Sequence, residues 1–147
     1  MSKDPDASPY YLEAEVNNPM CHLRAGESCV LETEWFPTRS GDEFHGASEA
    51  GILIHPLTVV SQNGKIALSG SFGVFYSGHL TARLYDEHGR LLAVTPVADV
   101  TPNEAVNLNT DIAAPGKCSR VSLHLIDDAG VDRGALQEVQ LTAQDNQ

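Results

Sequence analysis

The residues best suited to chemistry in this 147-residue chain lie in one polar stretch, PTRSGDEFHGASEA over residues 37–50, and just beyond it. The stretch carries Asp42, Glu43, His45 and Glu49, and His55 follows. Imidazole and carboxylate suit zinc or iron, and a catalytic metal keeps one position open for water. A small metal-dependent enzyme built on residues 37–55 would take His45 and His55 as ligands, with Glu43 or Glu49 as ligand or base. The spacing argues against it. Two ligands on one strand share a face when a single residue separates them, and no H-x-H occurs. A solvated polar loop accounts for the same residues, although about 14 residues is long for a loop and long loops often carry function.

Cys21, Cys29 and Cys118 are the only cysteines. An odd count argues against a closed disulfide framework. Cys21 and Cys29 flank the turn-like HLRAGES and would pair in an oxidising compartment, or stay reduced in the cytoplasm. They lack the C-x2-C knuckle of structural zinc sites. His22 does not activate Cys21, because neighbours on a strand point to opposite faces.

Calcium would look to the acidic turns, Asp86 with Glu87 and Asp127 with Asp128 and Asp132. DDAGVD departs from the EF-hand loop, and ordinary Asp turn chemistry explains these residues. No cofactor is predicted; zinc, iron and calcium are the ions these side chains suit. G-x-S-x-G, a Gly-rich phosphate loop and H-E-x-x-H are absent from the sequence, which leans the reading away from an enzyme.

Aromatic residues offer a binding site instead. Phe75 and Tyr76 sit between Gly73 and Gly78, at an expected bend, where they would anchor a partner or stack on a sugar. Tyr10 and Tyr11 lie near the start. The single Trp35 is expected to point into the core; a carbohydrate-binding module would need it exposed.

The net charge of −11 and only nine Lys and Arg disfavour nucleic acid and anionic membranes, which bind through basic side chains. Another protein, or self-association, fits better. The start lacks a signal-peptide pattern and no apolar run reaches the length of a membrane helix. The expected location is therefore cytoplasmic, for a soluble acidic protein, with a trimmed exported domain as the alternative.

Alternation places the elements. Residues 11–16 and 29–36 read as half-buried strands, the second with Trp35 inward and Glu32 and Glu34 wet. Residues 51–60 are strongly apolar, with Pro56 forcing an edge or a bulge. Asn63-Gly64 supplies a hairpin turn. Residues 65–94 hold two or three strands and the turn at Asp86-Glu87-His88-Gly89. Strands around Val97, Val106–Ile112 and Arg120–Ile126 follow, then a last one through Leu136 and Leu141 with a bulge near Gly134 or Glu138. RLYDEHG (83–89) echoes HLIDDAG (124–130), as two hairpins solving one turn problem would.

Eight or nine short strands predict an all-β, antiparallel sandwich over residues 10–141 as a single domain, between disordered tails at 1–9 and 142–147. The architecture resembles immunoglobulin-like or fibronectin type III-like sandwiches. Such a fold carries no chemistry by itself. The expected function is a non-enzymatic protein-binding or assembly module, a small accessory subunit.

Overall fold

The computed structural model describes residue 16, residues 19–62 and residues 64–141. The expected tails, most of the 11–16 strand, Tyr10, Tyr11 and Asn63 lie outside the described residues. The chain divides into two compact units, one up to Trp35 and one from Phe36 onward.

Among its described residues the second unit holds eight strands: β1 (Gly46–Ala47), β2 (Gly51–Gln62), β3 (Lys65–Val74), β4 (Gly78–Tyr85), β5 (Leu91–Val100), β6 (Val106–Ala113), β7 (Arg120–Asp127) and β8 (Asp132–Gln140). They form two antiparallel sheets of four strands, ordered β1-β2-β3-β6 and β5-β4-β7-β8. No helix occurs among the described residues, so none there is long and apolar enough to cross a membrane.

Period-two alternation explains which face each strand buries. Ile66, Leu68, Phe72 and Val74 of β3 point inward, as do Leu80, Ala82 and Leu84 of β4 and Val121, Leu123 and Leu125 of β7. Both sheets contribute to one apolar core, completed by Leu57, Leu108, Ile112, Val100 and Leu136. Each large side chain fully buried there stabilises the fold by about 1.5–3 kcal/mol.

Pro56 does what its missing N–H dictates. The β2–β3 register shifts on either side of His55, so the strand bulges there. The Leu57 N–H donates out of the ladder to Gln137 Oε1 of β8, at 2.6 Å. A register shift in β7–β8 lies opposite Gly134, as the loss of alternation there predicts. The 29–36 segment departs from expectation. It carries no strand, and Trp35 is 60% exposed rather than a core anchor. Alternation marks a segment able to join a sheet, but a ladder also needs a neighbouring strand to accept it.

Candidate functional site

The bend between β3 and β4 holds Phe75 and Tyr76, both half-buried. The Phe75 N–H donates to Ala50 O at 3.0 Å, and Asp128 N–H donates to Ser77 O at 3.1 Å, which pins the bend from two sides. Phe36 stacks on Phe75 with centroids 5.0 Å apart and rings 24° from parallel. It meets Tyr76 edge-on at 5.7 Å. The Arg133 guanidinium carbon lies 4.2 Å from the centre of the Tyr76 ring, a cation–π contact. Arg133 Nε in turn donates to Asp127 Oδ2 at 2.7 Å.

Asp127 holds this group in place. Its Oδ1 accepts the backbone N–H groups of Ala129 and Val131 at 2.9 and 2.8 Å. The Val131 N–H holds its carboxyl below the usual Asp range; burial opposes this, and Arg133 and the Ala129 N–H reinforce it. The result is a patch of three aromatic rings and one oriented arginine, side chains that dominate protein interfaces. Phe75 and Tyr76 were legible in the sequence. Phe36 and Arg133 were not, because only the tertiary fold brings residues 36, 76 and 133 together.

A second polar group covers the outer face of the β5-β4-β7-β8 sheet. Arg83 donates to Asp132 Oδ2 at 2.6 Å, and His124 Nδ1 lies 3.1 Å from Asp132 Oδ1. Burial pushes the Asp132 carboxyl up, but the Gly134 N–H, His124 and Arg83 outweigh it and leave it below its ordinary value. Arg120 lies 4.1 Å over the Tyr85 ring and pairs with Glu138 at 3.1 Å. Thr81, directly across from His124, has a buried hydroxyl with no hydrogen-bond partner among the described residues. A carboxylate–imidazole pair can orient a general base, but the Thr81 hydroxyl makes no hydrogen bond to His124.

The polar stretch is placed differently. His45 precedes β1, where its N–H donates to Leu53 O at 2.7 Å; His55 lies in the β2 bulge. Glu43, His45, Glu49 and His55 all face solvent. No three His, Cys, Asp or Glu side chains among the described residues converge on a position for a metal ion.

In the first unit, Val30 is 75% exposed, and Met20, Leu23 and Leu31 are exposed as well. The Cys21 and Cys29 sulfurs lie 2.9 Å apart. The Cys29 sulfur pushes the Cys21 thiol above its ordinary value, and desolvation acts in the same direction.

No family model, curated protein or solved structure matches the chain.

Proposed function

We propose that the chain is a non-enzymatic protein-binding or assembly module whose partner is a second copy of itself. The observation that carries this reading is the apolar surface of the segment up to Trp35: Val30, Leu31, Met20, Leu23 and Trp35 are all exposed. Exposed large apolar side chains concentrated in one short segment are the raw material of an interaction surface. The alternating CVLETEWF suits addition as a strand to a sheet edge, where main-chain hydrogen bonds supply affinity and alternate side chains supply specificity. The aromatic and arginine patch around Phe75 offers anchors of the same kind.

The same reading takes the two sheets as a sandwich of the immunoglobulin-like or fibronectin type III-like kind. Strand order supports it. Strands β2, β3 and β6 lie side by side, as do β5, β4, β7 and β8. Numbered from β2, that is first-second-fifth against fourth-third-sixth-seventh. It matches the immunoglobulin constant arrangement with the fourth strand moved to the edge of the other sheet.

Sedimentation of the full chain over a concentration series tests the assembly reading. The wild type should form a defined multiple, and Val30→Asp with Trp35→Asp should return it to monomer without lowering its Tm. A wild type that stays monomeric throughout would overturn self-assembly.

Exposure of Trp35 also favours a carbohydrate-binding module, since an exposed indole can stack on a sugar ring. Quenching or a blue shift of Trp35 fluorescence on adding neutral oligosaccharides would support that reading; an unchanged spectrum would remove it.

A further inference from the structure

We propose that Cys21 and Cys29 form a redox-active pair that closes to an intramolecular disulfide, with a small-molecule disulfide such as oxidised glutathione as oxidant. The chain between them is already turned back on itself. The Glu27 N–H donates to Arg24 O at 3.0 Å, and the Arg24 N–H donates to the Glu27 carboxylate at 2.9 Å. This closed turn sets the two sulfurs 2.9 Å apart. A disulfide bond is about 2.05 Å long, so closure needs only small side-chain rotations and no rearrangement of the turn. Both residues are exposed, which gives an oxidant access to either sulfur.

The electrons balance in two exchanges. One cysteine thiolate attacks a sulfur of the oxidant, forming a mixed disulfide and releasing one glutathione thiolate. The second cysteine thiolate attacks the cysteine sulfur of that mixed disulfide and releases the other glutathione. Two thiols of the chain are oxidised, one disulfide is reduced, and the two thiol protons end on the two released glutathiones. Cys118 takes no part. It belongs to the other unit, is half-buried, and its Sγ lies 3.3 Å from Arg120 O.

Closure would tie off residues 21–29 immediately before the exposed Val30. Such a bond persists in an oxidising compartment and is reduced in a glutathione-buffered one. Disulfide closure within one chain does not depend on what the segment docks against, or on whether the chain self-associates.

Cys118→Ser in the full chain leaves the pair as the only thiols. After treatment with excess oxidised glutathione, its intact mass should fall by two hydrogen atoms. The thiols alkylated under denaturing conditions should drop from two to none. Cleavage after Lys3, Arg24 and Arg39 should yield residues 4–24 and 25–39 joined until a reductant is added. Adding Cys21→Ser removes the resolving partner, and Cys29 should then accumulate a stable glutathione adduct. Two thiols that remain alkylatable, stable glutathione adducts on the intact pair, or a bond formed between two chains would each overturn the proposal.

Discussion

In the β4–β5 turn the Asp86 carboxylate accepts the backbone N–H groups of His88 and Arg90 at 3.0 and 2.8 Å. In the β7–β8 turn Asp127 accepts those of Ala129 and Val131 at 2.9 and 2.8 Å. Gly89 and Gly130 close the two turns with φ of 76° and 79°. Each donates its N–H back to the aspartate carbonyl, at 3.0 and 2.8 Å. The sequence echo between 83–89 and 124–130 is thus the same turn built twice.

The difference lies in the arginine that takes the second carboxylate oxygen. Arg90 belongs to the turn's own loop, is 78% exposed, and sits 3.2 Å from Asp86. Arg133 comes from β8, is 36% exposed, and sits 2.7 Å from Asp127. Only Arg133 also covers an aromatic ring, Tyr76. Local sequence therefore decides the turn, and the partner beyond the turn decides what it supports. One turn ends in solvent; the other orients the aromatic patch.

Replacing the two aspartates should separate these roles most strongly. Asp127→Ala leaves two backbone N–H groups and Arg133 without their shared acceptor in a part-buried network, a costly condition. We expect Tm to fall by several degrees, and by clearly more than for Asp86→Ala. Equal losses in thermal unfolding followed by circular dichroism would break the comparison.

Acid titration comes next. Both carboxyls are held below their ordinary value: Asp86 chiefly by the Arg90 N–H against opposing burial, and Asp127 chiefly by the Val131 N–H. A group whose folded pKa is depressed stabilises the fold above its unfolded pKa and loses that contribution as pH falls through the folded one. Stability should accordingly hold at neutral pH and decline below about pH 4. Asp127→Asn should flatten the decline more than Asp86→Asn. Parallel curves for both variants and wild type would count against the assignment.

The glycines should behave as equals. A Cβ on either Gly89 or Gly130 would meet nothing within 4 Å, so only the left-handed backbone resists a side chain. Gly89→Ala and Gly130→Ala should each destabilise by about 1–2 kcal/mol, measured by urea unfolding. A much larger loss at Gly130 would mean that the two turns differ in backbone as well as in partner.

These turns also show how far the sequence could be read. Alternation and turn residues disclosed the strands from β2 onward, except that Pro96 split in two what is one strand, β5; they also disclosed the Pro56 bulge and both Asp turns, because each depends on neighbours a few residues away. The same alternation misplaced Trp35. CVLETEWF has the pattern of a strand, yet pairing depends on a partner strand that the local pattern does not encode. The aromatic site was half legible. Phe75 and Tyr76 announced themselves between two glycines. Phe36 and Arg133 carried no local signal, since their contacts span from about 40 to nearly 60 positions along the chain.

The smallest effect is expected at Arg90. Its pair with Asp86 is open to water, where screening and side-chain entropy offset most of the attraction. The Asp86 carboxylate keeps its two backbone donors when the guanidinium is removed. Arg90→Ala should therefore leave Tm within about a degree of wild type and leave the acid decline nearly unchanged. Arg133→Ala should lower Tm measurably and also alter the near-ultraviolet circular dichroism, because it uncovers Tyr76. If Arg90→Ala proves as costly as Arg133→Ala, the solvent-side turn holds more of the fold than its exposure implies. The contrast between the two hairpins would then rest on Tyr76 alone.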